Sequence, residues 1–257
     1  MSTTTLLSAA VPGLVATFLV ATGAVVAKEP LTLQLPAGAR VGVVNLLDAE
    51  VTHYHAARLL QDSFLKTHPV KWPVAAMLLG AVSGELTQLG LAPVPLAAGA
   101  ELSRARESCF LNAELAKGLR KECAGPFARL AAAAHVDAII VLGPGRNDSA
   151  HAAATRHREL PEYLRGWCFV SGEGGAGADV APALLAFTEL LLIAAGPAGM
   201  QIFDREWGGD GHSWTGYQPP ADLKAIPAQQ LDQLQPLFGA LLQQQGEALL
   251  RHLQVAR

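Results

Sequence analysis

The chain has 257 residues, a formal net charge of -3, a sequence pI near 6.2 and a mean hydropathy of +0.27. Charged residues make up only 16% of it, against roughly 25% in soluble proteins, and no Lys/Arg-rich run occurs. The electrostatic footprint of a nucleic-acid binder is therefore missing, while the length suits one domain with a substantial core.

Leu6 to Ala27 carries no charge and is followed at once by Lys28, Glu29 and Pro30. It reads as a secretory h-region, with Val25 and Ala27 at the small-residue positions before a cut. No Lys or Arg precedes it, and about 22 residues at about 1.5 Å each also span a bilayer core of roughly 30 Å. A cleaved signal, an uncleaved anchor and a buried helix are the open readings. The first two put the domain outside the cytoplasm, periplasmic or anchored at the inner membrane, with membrane contact only through this segment. No cysteine precedes Cys109, so the thiol for lipoprotein anchoring is absent. The expected division is a leader over 1–27 and one α/β envelope domain over 28–257.

In chain order, Arg40 to Leu47 (RVGVVNLL) is valine-rich and apolar on both faces, as a buried central strand is. Ala49 to Val70 places Tyr54, Leu59, Leu60 and Phe64 at roughly helical spacing before His68-Pro69 breaks it, which predicts a short helix or irregular excursion. Trp72-Pro73 opens a helix through Leu89, with apolar residues at Ala76, Leu79, Val82 and Leu86, and Gly90 ends it. Ala92 to Leu96 (APVPL) is a proline-bearing edge strand. Residues 97–123 form a polar helical insertion. A helix over Pro126 to Ala134 then feeds the β-branched run His135 to Leu142, bounded by Gly143-Pro144-Gly145. Helix followed by buried strand, twice over, predicts parallel pairing with helices packed on the sheet.

A strand at Gly166 to Val170 and a Gly-rich loop from Ser171 to Ala178 come next. The apolar stretch Val180 to Ala195 approaches membrane-spanning length, but Glu189 and Pro182 argue against that reading. The favoured alternative is a strand, Phe187 to Ala195, turning at Gly196-Pro197-Ala198-Gly199 into Met200 to Trp207. A helix from Gln229 to Gln254 closes the chain. The predicted fold is a single three-layer-like α/β domain with a mixed, partly parallel sheet, a late hairpin and a C-terminal helix.

RVGVVNLL, the Ala-rich helix leading into HVDAIIVLG, and LLLIAAGPAGMQIFDREW together make an element order that resembles envelope proteins of the CsgG, LpoB and TolB N-terminal type. The resemblance covers most of positions 40–254. It implies a mostly non-catalytic role in secretion, cell-wall or envelope machinery, with another envelope protein or a glycan as partner. The chain departs from these groups in lacking a lipobox cysteine.

Cys109 and Cys123 bracket a polar segment; they form either a disulfide, worth roughly 3 kcal/mol for a loop of about 15 residues, or two buried thiols. Cys168, beside Trp167 and Phe169, reads as a core residue. Ligands of parallel sheets bind beyond the strand ends. The first site candidates are therefore Asp48, Glu50, His53 and His55 after one strand, and Arg146, Asn147, Asp148 and His151 after the other. His53, His55 and His68, with Asp48, have the donor types for a divalent metal such as zinc, provided the HxH segment is extended. GPGRNDS lacks the lysine of a phosphate loop. Trp207, Asp210, His212, Trp214 and Tyr217 form a polar and aromatic loop that is either a partner contact or a lid over the sheet. The sequence thus predicts an exported, non-catalytic binding or assembly module, with a metal-binding protein or metal-dependent hydrolase as the alternative.

Overall fold

The computed structural model describes residues 33–57, 59–110, 119–145, 164–173, 179–197, 199–208, 211–251 and 253–256. Among them, nine strands make one mixed sheet with helices on both faces, the expected α/β layering. No helix of the described residues is long and apolar enough to cross a membrane. The leader and Arg146, Asn147, Asp148, His151 and Asp210 lie outside the described residues.

The sheet is organised by β8 (Asp179–Gly196), an 18-residue strand. Along one edge it takes β9 (Gly199–Gly208) and then β10 (Gly211–Ser213) in antiparallel pairing, Thr188 opposite Gly208 and Leu185 opposite Gly211, with a register shift in β9 between Leu192 and Ile193 of β8. Along the other it takes β6 (Ala138–Pro144) and then β7 (Gly166–Glu173), end to end. The next row repeats this: β2 (Arg40–Asn45) runs parallel to β6, and β3 (Glu50–Ala56) runs parallel to β7. The outer row is β5 (Ala92–Leu96) beside β2 and β4 (Phe64–Pro69) beside β3. Apart from this sheet, β1 (Gln34–Pro36) pairs in parallel with β11 (Gln254–Ala256), which brings the start of the described domain to its end.

Alternation along the central strands sorts most of their side chains into two cores, while Leu185 and Phe187 of β8 join Tyr54, Leu164, Cys168 and Val170 in a third, smaller cluster. Val41, Val43, Ala138, Ile140, Leu142, Leu190 and Leu192 pack under α1 (Val74–Gln88) and the late helices α4 (Ala228–Asp232) and α5 (Gln235–Leu250). Val44, Ile139, Val141, Leu191 and Ile193 pack under α2 (Ala100–Phe110) and α3 (Lys121–Ala134). Burial on both faces is why these strands read as continuous apolar runs instead of an alternating pattern. Cys109 of α2 and Cys123 of α3 are bonded, with Cα atoms 5.9 Å apart, inside the second core. Cys168 is a buried free thiol, as its neighbours imply.

Five expectations need correction. Ala49 to Val70 is not a helix; it holds β3, a short 3-10 turn (Leu60–Asp62) and β4. The apolar spacing was misleading because the deciding pattern is period two, with Val51, His53 and His55 on one face and Tyr54 on the other, set by pairing with β7 and β4. The helix expected from Pro126 starts at Lys121 and carries Pro126 one turn inside. β7 continues through Ser171 and Gly172, and β8 begins at Asp179, well before Phe187. The closing helix is interrupted between Asp232 and Gln235, and Gln254 belongs to a strand. In α1 the buried stripe is Val74, Leu78, Val82 and Leu86, an i, i+4 series one residue off the expected Leu79.

Candidate functional site

A crevice lies where both inner rows of the sheet break, and of the expected site residues it holds Asp48 and Glu50. β2 ends at Asn45 and β3 starts at Glu50; β6 ends at Pro144 and β7 starts at Gly166. A pocket of about 100 Å³ opens there, lined by Leu46, Leu47, Asp48, Glu50, Arg106, Pro144, Arg165, Gly166 and Trp167. Arg106 reaches in from α2 and grips both carboxylate oxygens of Asp48, at 2.6 and 2.5 Å, in the fork geometry that suits a guanidinium to a carboxylate. The Glu50 carboxyl is raised above its ordinary value, first by burial and then by the neighbouring Asp48 charge, with Arg106 opposing. Two acids and two arginines at one rim give the crevice a charged lining. Arg106 and Arg165 carried no sequence signal, because each enters from an element distant in sequence.

The histidines are elsewhere, on β3 and β4. The HxH segment is extended, so His53 and His55 do share a face. What they share there is a hydroxyl: His53 Nε2 lies 2.7 Å and His55 Nδ1 3.0 Å from Ser171 Oγ on β7. The hydroxyl has one proton to give and two lone pairs, so which ring donates and which accepts is set by the imidazole tautomers. His53 is fully buried, stacked on Phe169 with ring centroids 4.1 Å apart, and its ring lies 6.4 Å from that of His68. Burial, then the nearby His55 and His68, push the His53 imidazole down to about 3, so it is neutral in the folded protein; the Leu223 carbonyl pulls weakly the other way. Burial also lowers His68, with Lys66 adding to the effect.

The expected metal shell is not assembled. Asp48 is committed to Arg106 in the crevice, and no group of three or more His, Cys, Asp or Glu side chains among the described residues is arranged to hold a metal ion. The physical reason is register: Val51 and His68 are opposite each other, which leaves Ser171 and not a carboxylate as the polar centre of the cluster. Ser171 itself sat in a stretch that composition assigned to a Gly-rich loop.

Two residues of the aromatic loop pack onto the sheet. Trp214 is buried, packed against Phe169 at 5.5 Å and Tyr217 at 5.1 Å, so the pair behaves as a lid over the sheet. Trp207 stays on β9, where the Arg205 guanidinium sits 5.4 Å from its ring. His212 pairs through its backbone with Leu184. Arg205 also reaches Glu189, a fully buried carboxylate of β8, at 2.7 Å. Burial pushes the Glu189 carboxyl up to about 7 against the pull of Arg205.

No family model, curated protein or solved structure matches this chain, so a reading of its function rests on the geometry above.

Proposed function

We propose that the chain is an exported cell-envelope domain that acts by binding another envelope protein at the charged crevice, and not by catalysis. The observation that carries this reading is the coupling of disulfide and crevice on one helix. Cys109 ties the end of α2 to α3 inside a buried core, and Arg106, one turn earlier on α2, is the residue that reaches Asp48. Disulfides persist in oxidising compartments, which agrees with the apolar leader. A recognition group held by a cross-linked helix is pre-organised, and pre-organisation lowers the entropy lost on binding. Against catalysis, the Ser171–His53 pair is sealed: Ser171 is 5% exposed and His53 0%.

Two measurements test the proposal together. A reporter fused after Arg257 is expected to be active only outside the cytoplasm. A photo-crosslinking residue at Glu50, used in intact cells, is expected to give a defined adduct with an envelope protein that Arg106→Ala abolishes. Cytoplasmic reporter activity refutes the location. An adduct indifferent to Arg106, or one formed with a glycan, refutes the protein-binding crevice.

A further inference from the structure

The segment between β10 and α4 crosses the histidine face of the sheet, and what holds it there is unusual. Its own hydrogen bonds run within itself, Ala225 N to Asp222 O and Lys224 N to Asp222 Oδ1, or to α4, where Gln230 Nε2 donates to Gln218 O. At its start Trp214 N donates to Pro182 O. Over the sheet it is held mainly by rings, Trp214 and Tyr217 on Phe169, Tyr217 beside His53 at 6.5 Å and Lys224 Nζ 5.2 Å from the Phe64 ring, with the Leu223 carbonyl at His53 and Tyr217 Oη at Ser171 as its polar contacts. We propose that residues 214–226 form a strap that opens on acidification, when protons arrive on the histidine cluster beneath it.

The cluster is built to reject protons while covered. From β3 it contains His53 and His55, from β4 Lys66 and His68, from β7 Ser171, and from the strap Tyr217 and Lys224. β8 contributes apolar Leu184 and Ala186 to this face. The acids of the neighbouring segments are engaged elsewhere, Asp222 by the backbone of Lys224 and Asp232 by Trp72 Nε1. A charged imidazole here would be buried among further basic groups, and burying an unpaired charge is heavily penalised. The closed state is also not fully satisfied: His68 Nε2 is sealed from solvent without a hydrogen-bond partner, whereas His53 meets the Leu223 carbonyl and Tyr217 Oη meets Ser171. Lifting the strap hydrates this nitrogen, which removes the penalty of a buried unsatisfied group.

The direction follows from linkage. With the strap closed His53 stays neutral down to about pH 3, whereas an uncovered imidazole takes its proton near 6.5. Opening is therefore coupled to proton uptake, and between pH 7.5 and 5 His53 alone raises the open population about 30-fold, 1.5 pKa units at tenfold each. His68, lowered in the same way, adds to this.

Hydrogen exchange on the full chain, disulfide intact, at pH 7.5 and pH 5.0 and corrected for the intrinsic exchange rate, tests the strap directly. Peptides over 214–226 are expected to show an opening equilibrium raised about 30-fold at the lower pH, with protection in β8 and β9 unchanged. His53→Gln, which cannot take a proton, is expected to remove most of that rise, and Tyr217→Ala to open the strap at pH 7.5 without acid. If the strap keeps its protection at pH 5.0, if it and β8 lose protection together, or if the His53→Gln variant responds to acid as the parent does, the strap is not a proton-gated element.

Discussion

Glu189 offers the sharpest test of the sheet's electrostatics. Its carboxyl is raised from an ordinary value near 4.5 to about 7, because the β8 position is fully buried and a single guanidinium does not replace water around an ionised carboxylate. The folded state therefore holds this proton more tightly than the unfolded chain. The sign is that of a raised acid: its contribution is fully present below pH 4.5 and is lost as pH rises to about 7. The span is 2.5 pKa units, which at about 1.4 kcal/mol each amounts to roughly 3 kcal/mol. Glu189→Gln keeps the shape and removes the titration. Urea unfolding of parent and variant should be compared at half-unit steps from pH 4 to 8 with the disulfide intact. The difference isolates Glu189, because His53 acts in the opposite sense: its folded value is depressed to about 3, so its contribution is lost as pH falls from 6.5. The variant is expected to gain about 3 kcal/mol on the parent between pH 4.5 and 7 and to hold a constant difference on either side. A difference that is flat across this window, or that shrinks with rising pH, would mean that Arg205 keeps the carboxylate ionised and that the reasoning is wrong.

Two further outcomes follow from particular contacts. Replacing Cys109 and Cys123 by Ala opens a loop closed across 14 positions and should cost about 3 kcal/mol, read as a lower urea midpoint, with the parent in reductant moving to match; no change would place the stabilisation in the helix packing alone. A Cβ at Gly172 would lie 2.4 Å from the Ala56 carbonyl oxygen, a backbone atom of the neighbouring strand, so Gly172→Ala must part β3 from β7 and should cost about 1–3 kcal/mol; a variant with parent-like stability and unchanged amide exchange in β3 would show that the strand pair has room.

The two site candidates differed in how far the sequence exposed them. The crevice was legible because Asp48 follows a valine-rich strand and such strands bury both faces, so the first polar residues after them emerge at a rim. The histidine cluster was legible as residues and not as chemistry. His53 and His55 share a face whenever the chain is extended, but the group between them, Ser171, is 116 positions from His55 and is brought there only by the β3–β7 register.

The same division runs through the whole molecule. Local composition determined the α/β class, the buried strands β2 and β6, the helix α1, the proline-bearing edge β5 and the hairpin turn at Gly199, because each is decided by periodicity or by a residue with restricted backbone geometry. Tertiary structure decided the rest. The leucine- and alanine-rich β8 has a composition that suits a helix, and it is a strand because β6, β7, β9 and β10 satisfy its backbone along both edges. Whether Trp214 faced a partner or the core, whether Asp48 met a histidine or Arg106, and whether Cys109 found Cys123 are likewise questions of which distant segments meet, and side-chain chemistry alone carries no record of that.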